Sequence, residues 1–563
     1  MPKPGRWGAI PAMTVAASLL AFSPAGAQSQ RPTLASRLPE PAVRQIEALM
    51  AEKAQRTTIQ QKISSRLLQE ARIRRGEPIA NGVTTMRTGL EVVGPDGLVE
   101  VDIKAQVSAT VLQRINDVGG TVINSVPSYQ AIRARVPLNS VEAIATLPEV
   151  RFIKPADRSM THGAQAGGAM MRAATGDAMV NAKTNTSQGD VAHRANLARS
   201  FYGVNGAGIG IGVLSDGVNT LVSRQATGDL PSVMVLPGQA GWGDEGTAML
   251  EIVYDLAPGA NLFFATANGG QAQFAGNIQA LCNAGARVIV DDFSYFDEAV
   301  FQDGIVAQGI NSVTANGCFL FSAAGNEGNF DDGTAGVWEG DFVQAASLPP
   351  GTLGGTAHNF GGGSNSDLIT AGGLTFILQW SDPLGGSGND YDLYLFDSTM
   401  STILAASTDV QNGTQDPVES ICSLSCGFNH AGDRLVVVKY SGAGRYLHLN
   451  TFRGTLTLAT AGQTAGHGAA ANAFGVAAVD VATAGGGPFI GGSANSVETY
   501  SSDGPRRIFF NPNGTPITPG NFSSTGGQVL QKPDIAAADR VSTATPGFRP
   551  SLVLLRRRRM PRQ

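Results

Sequence analysis

The chain has 563 residues, too many for one ordinary domain, and 42% are hydrophobic while only 15% are charged. Lys plus Arg number 40 against 45 Asp plus Glu, so there is no basic field for nucleic acid. The low charge excludes a disordered polyelectrolyte, and the 71 glycines exclude a coiled coil, leaving a Gly-rich globular protein.

The N-terminus reads as an export signal. Lys3 and Arg6 precede an apolar run over 12–22, and Ala25-Gly26-Ala27 supplies a small-residue cleavage site. No other stretch approaches the ~18 uncharged apolar residues of a membrane span. The expectation is a signal peptide over 1–27 and a secreted or periplasmic protein without a membrane span. Residues 28–96 form a helical leader, with Val43, Ile46, Leu49, Met50, Ile63 and Leu67 at helical spacings. It is a packed or solvated helix in preference to a membrane-surface one.

Over 97–155 the pattern is strand, helix, strand, strand, helix, strand, with alternation at 98–105, 121–126, 129–136 and 150–153. That order is the ferredoxin-like α+β unit. Residues 156–190, rich in Gly, Ala, Thr and Met, read as a linker. From 191 to 345 apolar runs at 209–214, 261–267, 287–290 and 319–323 alternate with helical segments, which predicts an α/β domain on a mostly parallel sheet. Residues 346–460 hold only short alternating strands and turns, an inserted β-sandwich. The α/β pattern resumes over 461–548, and 549–563 is an aberrant basic tail containing four consecutive arginines.

Four cysteines in an exported chain suit two bridges. Cys422 and Cys426 suit a local clasp. Cys282 and Cys318 are either a second bridge or small buried thiols. Neither C-x-x-C spacing nor nearby histidine supports zinc; Asp390, Asp392 and Asp397 could ligate calcium but read in preference as ordinary strand and turn acids, so no cofactor is expected.

Several short motifs follow in fixed order. Gly208 to Gly217 is a buried strand ending in Ser215-Asp216-Gly217. Glu245-Gly246-Thr247-Ala248-Met249 opens a helix, and Phe321 to Gly328, with Gly325-Asn326-Glu327-Gly328, closes another strand. Tyr500-Ser501-Ser502-Asp503-Gly504-Pro505 and Lys532-Pro533-Asp534-Ile535-Ala536-Ala537 come later. Together these resemble the subtilisin-like serine peptidases over about 190–548. The resemblance implies a subtilisin-like sheet, an inhibitory prosegment, a protein or peptide substrate, and Asn326 as the oxyanion-hole amide. It leaves cleavage specificity and oligomeric state open.

Glu245 occupies the place where those enzymes carry histidine, which resembles the sedolisins. Their aspartate one helical turn further on is replaced here by Met249, and their oxyanion-hole aspartate by Asn326. Asp216 is then the expected partner of Glu245, with Asp292 as an additional acid, although Ser215 competes with Asp216 for the family position. Paired carboxylates share a proton, so a Glu base suits acidic pH. The six histidines offer no alternative base and read as surface or satisfied residues.

No Gly-Thr-Ser occurs anywhere, so the chain offers no nucleophile of the family type. In a frame shifted by one base, with CGN arginine codons, 552–563 can encode Gly-Thr-Ser-Ala-Ala-Ala-Pro-His followed by alanines. The expectation is a peptidase precursor frameshifted or truncated before its serine, hence inactive. The alternative is a non-catalytic exported protein that binds peptide or glycan on a peptidase scaffold.

Overall fold

The computed structural model describes residues 38–94, 97–162, 185–345, 355–421 and 429–548. The expected signal peptide, Cys422, Cys426 and the basic tail lie outside them.

The leader contains the helices Glu40–Ala54 and Ser65–Arg74. Pro41 sits in the first turn of the former, where its missing N–H costs nothing. Ala42, Val43, Ile46, Leu49 and Met50 bury its apolar stripe against Tyr394, Phe396, Ile403, Val436 and Val438, far away in the chain. At the end of that stripe Lys53 is 2% exposed, its ammonium bonded to Asp390 (2.5 Å) and Asp392 (2.6 Å).

The strands Leu98–Ala105, Thr121–Val126, Ala131–Pro137 and Val150–Pro155 make one antiparallel sheet, ordered second, third, first, fourth. Val99, Val101, Ile103 and Ala105 alternate inward to meet Val111 and Ile115 of the helix Ala109–Asp117. Ser108 caps that helix by accepting from the Val111 N–H.

Seven parallel strands form the central sheet. Their spatial order is Ile535–Asp539, Ala473–Asp480, Phe319–Ala323, Ala286–Asp291, Gly210–Ser215, Asn261–Thr266 and Val233–Val235. Successive strand residues point to opposite faces. Leu214 accordingly joins Phe274, Ile278 and Ile310 on one side, while Val213 joins Leu250 and Phe264 on the other. Cys282 and Cys318 are bridged, with Cα atoms 6.2 Å apart, tying the end of the helix Gln271–Ala284 to the start of the strand Phe319–Ala323.

Two antiparallel sheets pack around Phe376, Trp380, Tyr391, Leu393 and Leu447 to form a β-sandwich. It begins before residue 346, because Val337–Asp341 pairs with Tyr446–Asn450. That strand is only five residues long, too short for alternation to distinguish it from a loop. The expected linker 156–190 likewise contains the strand Ser159–Thr161, and the helix Gly189–Ala192 starts at its end. Ser-Met-Thr carries no apolar alternation, and only the pairing partner makes it a strand. No helix among the described residues is long and apolar enough to cross a membrane.

Candidate active site

The strand Gly210–Ser215 delivers Ser215 and Asp216 to the carboxyl edge of the sheet, where ligands of parallel α/β sheets gather. Beside them starts the helix Glu245–Leu256. Glu245 is 3% exposed, and its Oε2 accepts from the Ser215 hydroxyl at 2.8 Å. The Asp216 carboxylate faces backbone instead: Oδ1 accepts from the N–H of Gly217 (2.6 Å), Glu245 (3.1 Å) and Gly246 (3.4 Å). It thus satisfies donors at the helix start and fixes where Glu245 emerges. Burial raises the Asp216 pKa, opposed by those N–H groups. Gly243 must lack a side chain here, since at φ +129° a Cβ would lie 1.9 Å from Asp216 Oδ2. Ser215, the rival for the position given to Asp216, is therefore the group bonded to the Glu245 carboxylate.

Asn326 follows the strand Phe319–Ala323, and its side-chain amide donates to the carbonyl oxygen of His162 at 2.8 Å. That carbonyl arrives on a bound strand. Ser159–Thr161 pairs antiparallel with Phe293–Tyr295, matching Thr161 with Phe293 and Ser159 with Tyr295. The His162 N–H continues the ladder to the Asp292 carbonyl at 3.1 Å, and its ring bonds Ser294 Oγ at 2.7 Å. Burial lowers the His162 pKa to about 3, so its imidazole is neutral. The Arg453 guanidinium donates to the Thr161 carbonyl at 2.9 Å and the Arg453 N–H to Glu327 at 2.8 Å, clamping the strand from the sandwich side. Asp292 has its pKa pushed up to about 7 by burial, with Asp539 and Asp291 adding to the effect and Arg453 opposing it.

Glu245, Asp292 and Asn326 line one cleft of about 1540 Å³, together with His162 and Arg453. Its apolar floor includes Ala248, Met249, Ile252, Val253 and Val290. Asp216 is not among the lining residues. The sequence reading missed His162 and Arg453. The Gly-Ala-Thr-Met composition around the former hid a strand, and the latter meets Glu327 from 126 positions away.

Of the six histidines only His193 is exposed, and each of the other five is buried with a hydrogen-bond partner on its ring. His467 Nε2 lies 3.1 Å from Ser322 Oγ, while Nδ1 lies 2.8 Å from Glu298 Oε1. This has the outline of a Ser-His-acid triad. Its chemistry is wrong, however. Ser322 already donates to Asp291 at 2.6 Å. Burial alone would lower the His467 pKa, but Glu298 and Asp291 outweigh it and raise the value to about 10. An imidazolium cannot accept the serine proton, and all four residues are buried. The cluster is a structural ion knot.

Among the described residues no group of three or more His, Cys, Asp or Glu is arranged to hold a metal ion. No family model and no curated protein matches the chain. Solved structures similar to it include the epidermin leader peptide processing serine protease of Staphylococcus aureus, at 12% identity and TM-score 0.30, over 42% of this chain. The match spans 63% of that protein, less than two thirds of its length. The CspB protease of Clostridium perfringens aligns at 14% identity and TM-score 0.35, over 62% of this chain and 78% of its own. Fervidolysin from Fervidobacterium pennivorans, a keratinolytic enzyme related to subtilisin, aligns at 14% identity and TM-score 0.26, covering 43% of this chain and 41% of its own.

Proposed function

We propose that this chain is an exported serine-endopeptidase precursor of the subtilisin-like kind, silent as written because it has no serine in a Gly-Thr-Ser setting. The observation that carries the reading is the hydrogen bond from the Asn326 amide to the His162 carbonyl, at the end of a strand paired along Phe293–Tyr295. Strand addition presents a peptide in extended form, and a single side-chain amide aimed at one carbonyl marks the bond to be polarised.

In a frame-restored chain the serine would attack the carbonyl carbon of His162. Glu245 would take the hydroxyl proton, and Ser215 would hold the Glu245 carboxylate in place. As the carbonyl oxygen gains charge, the Asn326 N–H···O bond strengthens, which lowers the barrier to the tetrahedral intermediate. Glu245 then returns the proton to the departing amine. The apolar floor from Ala248 to Val290 suits a small-residue helix such as Ser-Ala-Ala-Ala in the shifted frame. Asp292, half protonated near neutral pH, lies in the same cleft as a further proton store.

The test is hydrolysis of unfolded casein by the chain as written, by a one-base frame-restored chain, and by the restored chain with Glu245→Gln. Activity only in the restored chain, abolished by Glu245→Gln, is the expected result. No activity in the restored chain would overturn the reading. The same strand pairing also favours a peptide-binding protein that never cuts. Saturable binding of an extended peptide by an inert restored chain would establish that alternative.

A further inference from the structure

A second cavity, of about 420 Å³, lies away from the cleft, where the leader, the four-stranded antiparallel sheet and the sandwich meet. Five basic side chains line it, and four have carboxylate partners. Arg133 forms a fork with Asp102 at 2.7 Å, Arg135 meets Glu100 at 3.4 Å, Arg158 meets Glu91 at 3.0 Å, and Lys154 is bonded to Asp297. Arg66 is different. It is 7% exposed, and its Nε donates to the Thr88 carbonyl at 2.8 Å. Its Nη1 and Nη2 make no hydrogen bond or ion pair among the described residues.

Those two nitrogens open onto the cavity, so the free edge of the fork is available to an anion that enters it. Burial lowers the Arg66 pKa to about 10, with Asp409 opposing and Arg158 reinforcing the shift. Asp409 is the foremost opposing charge, and its Oδ1 accepts from the Ser65 N–H at 2.6 Å.

We propose that this cavity binds a small monoanionic carboxylate with an apolar body, its two oxygens on Arg66 Nη1 and Nη2. The planar fork matches a carboxylate with two parallel hydrogen bonds. Glu100, Asp297 and Asp409 on the same wall disfavour a dianion. Leu90, Val99, Phe152 and Phe296 supply the apolar lining for a body about the size of one acylated amino acid. The site is independent of the proposed peptidase chemistry, because none of these residues lines the cleft.

The test uses the full chain and N-acetyl-L-phenylalanine as probe, with its uncharged amide as comparator, by isothermal titration calorimetry. The acid should bind saturably and the amide at least tenfold more weakly. Arg66→Gln, shown folded by circular dichroism, should weaken the acid at least tenfold. Inorganic phosphate near pH 8 should bind more weakly than the acid. Equal binding of acid and amide to the unaltered chain, or no binding of either, would overturn the proposal without reliance on any variant. Tighter binding of phosphate would overturn the carboxylate assignment.

Discussion

Lys53→Met removes the cation from between two buried carboxylates. Asp390 and Asp392 are 2% and 0% exposed, so neither can be rescued by water. Breaking a buried pair from one side costs about 3–5 kcal/mol, because the charge left behind keeps its desolvation penalty. At about 3 °C per kcal/mol for a unit of 150–250 residues, the transition of the sandwich with its docked leader should fall by about 10 °C. The cost should also depend on pH. Burial already holds Asp390 at about 7, despite the opposing pull of Lys53. Without the ammonium its pKa rises further, and the folded carboxyl then holds its proton more tightly than the unfolded one. Stability of the variant must therefore rise as pH falls through the folded pKa, making it weakest at pH 9 and partly restored at pH 5. Hydrogen exchange over residues 40–54 reads the loss locally, which matters in a chain of several domains where one global transition is not defined. Adding Asp390→Asn and Asp392→Asn should return most of the loss. A shift below about 2 °C at pH 8, or a variant more stable at pH 9 than at pH 5, would refute the reasoning.

Three further outcomes follow from other parts of the molecule. His467→Gln removes the cation shared by Glu298 and Asp291 and should destabilise the α/β domain by about 3 kcal/mol in urea titration at pH 7. Because the His467 pKa is raised from 6.5 to about 10, its contribution is complete below about 6.5 and disappears as pH rises through 10, so the unaltered chain should lose stability over that window and the variant should not. Cys282→Ser opens a loop of 36 residues' separation and should cost about 3–4 kcal/mol under oxidising conditions, with no difference from the unaltered chain once both are reduced. In the frame-restored chain Asn326→Ala should reduce kcat by about 100- to 1,000-fold with little change in KM.

Where a signal was local, the sequence was legible. Val99, Val101 and Ile103 alternate on one strand, and the runs 209–214, 261–267 and 319–323 fall on strands of the parallel sheet, each entered from a helical segment. Glu245 could be placed at a helix start and Asn326 after a strand from the small residues around them. What escaped was non-local. Lys53 reads as an ordinary helix lysine until Asp390 and Asp392, more than 300 residues later, surround it. Ser159–Thr161 has no strand pattern of its own, and its identity comes from Phe293–Tyr295. The choice between Ser215 and Asp216 turns on which way each side chain points. Alternation along the strand puts Ser215 toward Glu245 and leaves Asp216 at the turn, capping backbone N–H groups.

Intact-mass analysis after expression tests the central claim most directly, comparing the chain as written with the frame-restored chain. The account predicts an uncut chain as written and a restored chain cut on the carboxyl side of His162, with cutting lost in Glu245→Gln. A cut at His162 in the chain as written, or a restored chain that stays whole, would contradict it.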